Sequence, residues 1–148
     1  HLNAARSAAA ESAYAPYSKF RVGASVGALK MAESRNFIGC NVENASYGAT
    51  MCAERVAIFA AVAQGYRNFE ILALSTLDSA SEPDLSRRAP CGLCRQVMSE
   101  FFSPRTIVLI DGGIHPSGKK CVDIAIIDSL LPWRFELNSE NKIEQNPF

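Results

Sequence analysis

The chain has 148 residues, 48% of them hydrophobic and 20% charged, a balance that suits a globular fold with a sizeable core and excludes wholesale disorder. Its 15 Lys and Arg residues offset 15 Asp and Glu residues, and a net charge of +0 disfavours a polyanion such as nucleic acid and favours a small substrate. No apolar run approaches the roughly 18–20 residues of a membrane span, so no membrane partner is expected.

His1 in place of Met reads as a trimmed start or a tag remnant. Leu2–Ala13, rich in Ala, predicts a helix that ends before Pro16. Phe20–Leu29 alternates, with Val22, Ala24, Val26 and Ala28 on one face, as a half-buried strand does. A polar turn over Met31–Arg35 leads to a second strand, Phe37–Val42, its expected hairpin partner. Asn44–Met51 reads as a loop and Cys52 to about Ala63 as a helix stopped by Gln64-Gly65. Ile71–Leu77 is an apolar run of the kind buried on both faces.

Asp78–Ala89 is a polar surface loop, followed by a helix from Cys91 to about Phe102, a strand at Thr106–Ile110 and a turn at Asp111-Gly112-Gly113. Lys119–Val122 suggests a short last strand and Ile124–Leu131 a helical turn closed by Pro132. The tail 136–148 is polar and reads as loose or docked on a neighbour. Strands alternating with helices predict one α/β domain over 1–148, with helices on both faces of a single sheet.

The chemistry concentrates in Cys52-Ala53-Glu54 and Pro90-Cys91-Gly92-Leu93-Cys94. Cys91 and Cys94 are three apart and share a helical face. Cys52 and Glu54 are two apart, which fits one metal only at a helix N-terminus, where the ion sits over the end of the axis. Both clusters read as such ends, and the partial positive charge there favours thiolate over thiol. Three thiolates on Zn2+ leave a fourth position for water, which zinc polarises near neutral pH, with Glu54 placed to carry its proton. Arg55 or Arg95 could offset the thiolate charge.

Buried thiols, a redox pair or half of a structural zinc site are the plainer readings of these cysteines, but Glu54 and Pro90 favour a catalytic metal. Five cysteines could also form two disulfides and one free thiol. A Cys-x-x-Cys pair with a distant third Cys, and no recognisable signal peptide, instead suggests metal in a reducing, cytosolic setting. Cys40 and Cys121 read as packing residues.

At Cys52-Ala53-Glu54 and Pro90-Cys91-Gly92-Leu93-Cys94-Arg95-Gln96 the sequence resembles the short, single-domain cytidine deaminases. The resemblance extends to Tyr14–Ala24, Asn41–Tyr47 and Leu130–Phe135, nearly the whole chain in order. It implies a three-layer α/β/α fold around a mixed five-stranded sheet, Zn2+ as cofactor, and a nucleoside substrate. Asn41 and Glu43 would hold the sugar, whose hydroxyls need donors and acceptors; a solvated strand end is their plainer reading. Phe20, otherwise a plain core residue, would line the pyrimidine pocket, with Ala53 also at the substrate and Tyr47 at the substrate pocket or a subunit interface. Phe135 would reach a neighbouring subunit's site, implying a homotetramer; alternatively Trp133 and Phe135 cap this chain's own core. Ala89, where Ser is common before the Pro, and a long Asp78–Ala89 loop depart from the family pattern.

The expected reaction is hydrolytic deamination of cytidine and 2′-deoxycytidine, the alternative another aminopyrimidine nucleoside such as a nucleoside antibiotic. A non-catalytic zinc module would need a fourth ligand, for which His115 is a candidate.

Overall fold

A computed structural model describes residues 1–137; most of the polar tail read from the sequence lies outside the described residues. The elements run α1 (Leu2–Glu11), β1 (Val22–Lys30), β2 (Glu33–Cys40), α2 (Ala53–Ala63), β3 (Asn68–Thr76), α3 (Gly92–Phe101), β4 (Phe102–Ile114), β5 (Lys120–Ile126) and α4 (Ile127–Leu130). One five-stranded sheet has the order β2-β1-β3-β4-β5. Only β3 and β4 are parallel; every other neighbouring pair is antiparallel, so the sheet is mixed as expected.

The β1–β2 hairpin is tighter than the polar Met31–Arg35 stretch suggests. Lys30 pairs with Glu33 across a two-residue loop in which Met31 takes the positive φ (55°) that such loops demand. The Asp111-Gly112-Gly113 stretch is not a turn. It is an irregularity inside β4, where the register shifts and Gly113 adopts a φ of 71° open to glycine. β5 runs on to Ile126, past the short strand expected. Val122, Ile124 and Ile126 alternate with Cys121, Asp123 and Ala125 and pair with β4, so β-branched side chains extend the ladder into what reads as a helical segment.

Helices cover both faces. On one, α1 lies on β1 so closely that a Cβ at Gly23 would sit 2.0 Å from the Ala5 carbonyl oxygen. On the other, α2 lies on β2, where a Cβ at Gly39 would sit 2.4 Å from the Ala53 carbonyl oxygen. The main core fills that second side, with Val26, Leu72, Leu74, Val108, Ile58 and Met98 among its fully buried members. Each contributes about 1.5–3 kcal/mol by leaving water. The central strand β3 is buried on both faces from Leu72 to Thr76, as its apolar run predicts.

Arg6 of α1 crosses to Asp111 of β4 with two hydrogen bonds of 2.7 and 2.5 Å. Asp111 also accepts from the Ser75 hydroxyl at 2.8 Å and the Gly113 N–H at 2.9 Å. The α1 side of the sheet continues past that helix into Ile107, Val122, Ile124 and Ile126, which are exposed.

Candidate metal centre and active site

Cys52 and Cys91 are the N-caps of α2 and α3, both in extended backbone, and Cys94 lies in the first turn of α3. Two helix starts therefore converge at one end of the sheet, each contributing unpaired N–H groups and positive dipole. The sulfurs of Cys52, Cys91 and Cys94 all lie within 4.8 Å of one another. Cys52 to Cys91 measures 3.9 Å and Cys91 to Cys94 3.5 Å. Three thiolates at about 2.3 Å from a tetrahedral zinc stand about 3.8 Å apart, so the spacing fits one ion, and all five cysteines are free of disulfides.

The three sulfurs are not equivalent. A hydrogen bond from Cys94, aided by the Arg55 guanidinium, holds the Cys52 thiol well below its ordinary pKa. Cys94, which supplies that bond and is fully buried, is pushed up. Arg55 Nη2 donates to the Cys52 sulfur at 3.5 Å and to the Thr50 carbonyl at 3.2 Å. The Arg55 cation therefore lies against the Cys52 sulfur. Arg95 is committed elsewhere, to the carbonyls of Pro90 (2.7 Å) and Leu130 (3.0 Å).

Glu54 sits in the first turn of α2 and is only 3% exposed. Burial, with the negative charge on Cys52, raises its carboxyl pKa to about 7. A carboxyl poised near neutrality beside the metal position can both take and return a proton.

A cleft of about 410 Å³ opens onto this centre, lined by Cys52, Glu54 and Cys91 together with Phe20, Asn41, Glu43 and Tyr47. That volume is of the order that holds a nucleoside-sized ligand. Beyond β2 the chain is gripped on both sides: Val42 exchanges backbone hydrogen bonds with Met51, while Tyr14 bonds Asn41 and Glu43. This extended grip turns Asn41 and Glu43 inward and leaves Val42 half exposed.

Asn41 accepts from the Val22 N–H and donates to the Phe20 carbonyl, both at 2.8 Å, so its amide fixes the wall that carries Phe20. Glu43 accepts from the Ser18 hydroxyl and from the N–H groups of Tyr17 (2.9 Å) and Ser18 (3.2 Å). The Ser18 hydroxyl first, then these N–H groups, hold its carboxyl below the usual range, so it stays charged.

Four residues singled out in the sequence lie off this cleft. Ala53 is fully buried at the start of α2, under the site rather than on its wall. Phe135 is exposed, its backbone held by Gln96, and Trp133 is fully exposed. His115 is occupied with Ser117 in the β4–β5 loop and is not part of the cysteine cluster.

Sequence reasoning missed the wall built by Ser86, Arg87 and Ala89 and the contributions of Leu74 and Thr76 at the end of β3. The long loop at residues 77–91 folds back over the cleft, tied at its start by Asp78 to Arg21 (2.7 Å to the backbone N–H) and near its end by the Ser79 hydroxyl to the Arg87 carbonyl (3.1 Å). Its surplus polar residues are the signal that could have marked it.

Residues 1–110 match the family model described as the cytidine and deoxycytidylate deaminase zinc-binding region. The cytidine deaminase of Halalkalibacterium halodurans is 44% identical over 133 residues, covering 90% of each chain. The cytidine deaminase of Sporosarcina psychrophila is 48% identical over 93 residues, 63% of this chain and 62% of that one. Among solved structures, cytidine deaminase from Burkholderia pseudomallei superposes with a TM-score of 0.72 at 41% identity, covering 90% of this chain and 95% of that one. The Mycobacterium tuberculosis enzyme gives 0.67 at 36% identity, covering 92% and 94%. By matched length, identity and fold, this chain belongs to the cytidine and deoxycytidylate deaminase family.

Proposed function

We propose that this chain, acting as one catalytic domain, is a zinc-dependent hydrolase that converts cytidine and 2′-deoxycytidine to the corresponding uridines with release of ammonia. The observation that carries the reading is the three-sulfur cluster of Cys52, Cys91 and Cys94 with buried Glu54 beside it on a nucleoside-sized cleft.

Zinc held by the three sulfurs supplies Lewis-acid activation of a water at neutral pH. Glu54 takes a proton from the attacking water and delivers it to N3 of the pyrimidine as oxygen adds at C4, then takes the proton left on that oxygen and passes it to the departing amine as the C4–N4 bond breaks. Arg55 tempers the negative charge of the sulfurs. Phe20 lies along the base, while Asn41 and Glu43 receive the sugar hydroxyls. Glu43, held ionised, offers acceptors that bare cytosine would leave unpaired, a loss that falls on affinity and turnover together.

We further infer a homotetramer with shared sites, operating in pyrimidine salvage in the cytoplasm. Exposed Trp133 and Phe135, and the apolar strip Ile107, Val122, Ile124 and Ile126, support burial against further subunits. A blasticidin-S deaminase of Bacillus cereus is 33% identical over 91 residues, 60% of each chain, so related aminopyrimidine nucleosides are the second substrate class.

Metal content of the purified protein and an ultraviolet assay of cytidine loss, with free cytosine in parallel, test the proposal. Zinc with rapid cytidine turnover and negligible cytosine turnover is the expected result; no zinc, or preference for the free base, overturns it.

A further inference from the structure

We propose that Arg88 is a positioning residue for the metal site, acting through Cys91. The inference rests on the zinc reading above and concerns how the third sulfur is held in place.

Cys91 has little to hold it. It is exposed, it caps α3 without a side-chain hydrogen bond to the helix backbone, its thiol meets only the other two sulfurs among the described residues, and next to it Gly92 has open space where a side chain would be. Cys52 and Cys94, by contrast, are embedded at or inside helix starts that pack on the core. The position of Cys91 must therefore come from the chain on either side.

On the downstream side Arg95 does this, donating back to the Pro90 carbonyl at 2.7 Å and outward to Leu130 at 3.0 Å. On the upstream side the charged anchor is Arg88, 4% exposed and three positions before Cys91. Its Nη1 donates to the Asp111 carbonyl on β4 at 3.0 Å and to Asp123 Oδ2 on β5 at 2.7 Å. Two arginines thus clamp residues 88–95 between the far strands and α4, with Pro90 stiffening the span between them.

A guanidinium is a costly group to bury for stability alone. Among the described residues Arg88 Nε has no hydrogen-bond partner, and an apolar side chain of similar size would avoid that penalty. A single guanidinium nitrogen that grips two strands at once is something an apolar side chain cannot provide. Asp111, whose carbonyl receives Arg88, is itself fixed by Arg6, Ser75 and Gly113. The anchor point is therefore stiff, and the stiffness is passed to the segment that ends in Cys91.

The test compares wild type, Arg88→Met, Arg88→Lys and Asp123→Asn. It reads zinc retention against a competing chelator and, separately, the thermal unfolding of the metal-free proteins. Displacing a residue that orients a metal ligand lowers metal affinity by about 10–100-fold, so Arg88→Met should release zinc at least about tenfold more readily. Arg88→Lys, which keeps a donor for Asp123, should recover part of the loss. Asp123→Asn should cost about threefold, because an amide oxygen still accepts the bond.

If the variants unfold at lower temperature while holding zinc as tightly as wild type, Arg88 is a stability residue and the proposal fails. Should Arg88→Met not fold, unchanged zinc affinity in Asp123→Asn is sufficient to reject it. A wild-type protein that binds no zinc would instead refute the metal reading itself.

Discussion

The Cys52 and Cys91 sulfurs stand 3.9 Å apart although 39 positions of sequence separate them. Neither is placed by its own packing alone. Cys52 is set by α2 resting on β2, and Cys91 by the segment that leads into α3. The metal position is where two independently anchored helix starts meet, and the predictions below follow from how each part is held.

Chelation should abolish turnover and expose unequal thiols. A cysteine with a lowered pKa is already thiolate at pH 6.5, where an ordinary one near 8.5 is only about 1% ionised. Cys52 should therefore alkylate at pH 6.5 in the metal-free protein while Cys94, buried and pushed up, resists. Peptide mapping by mass spectrometry reads the order of labelling. Arg55→Gln should slow labelling of Cys52, and equal labelling of the two cysteines would contradict the assignment.

Glu54→Gln should retain zinc and lower kcat on the order of 10²–10⁴-fold. It should also change how stability depends on pH. In the wild-type fold the Glu54 carboxyl sits near 7, above its unfolded value of about 4.3, so the folded state holds this proton more tightly. That contribution is complete below about pH 4 and is lost as pH rises through 7. Metal-free Glu54→Gln should accordingly match wild type near pH 4 and exceed it in Tm at pH 8; a constant difference across that range would argue against a buried carboxyl.

Asp111→Asn tests the network opposite the site. Burial alone would push the Asp111 carboxyl up, but Arg6, Ser75 and the Gly113 N–H outweigh it and hold the pKa below the usual range. With the folded value depressed, its stabilisation is present above about pH 4 and is lost as pH falls through the folded value. Removing the charge leaves Arg6 half-paired and should cost about 3 kcal/mol, the lower end for a broken buried pair because Arg6 keeps some contact with water. Denaturant titration at pH 7 and pH 3 should show the gap narrowing in acid.

Shared sites can be tested by mixing. Co-expression of Glu54→Gln with Phe135→Ala chains should restore activity that neither homo-oligomer has in full, because some sites would combine an intact acid with an intact aromatic from a neighbour. Light scattering on the same preparation gives the subunit number. Mixed particles no more active than the weighted mean of the parents would mean that Phe135 serves only its own chain.

What could be read from the sequence was what local chemistry governs. The thiol spacing, the buried acid beside Cys52 and the α2 and α3 starts all depend on residues within a few positions of one another. The alternation in β1 and the apolar run of β3 were legible for the same reason.

Long-range partners hid the rest. β5 reads as helical near Ile124 until β4 is beside it to pair. Gly112-Gly113 reads as a turn until the strand continues through it. Ser86 and Arg87 carry no mark of the cleft, because only the folding back of a polar loop brings them there. Asn41 was read for a ligand, and its amide is also committed to the backbone of Phe20 and Val22, a contact no spacing rule discloses.

The missing side chain at Gly39 reaches further than its size suggests. Because nothing projects there, the backbone of α2 lies directly against the strand, and a single methyl would press on both the Ala53 carbonyl at 2.4 Å and the Ala57 nitrogen at 2.6 Å. Those atoms belong to the same turn as Cys52 and Glu54. A silent position on an edge strand thus acts as a spacer shim for the reaction centre, and the tolerance of that centre is cut in the thickness of one hydrogen atom.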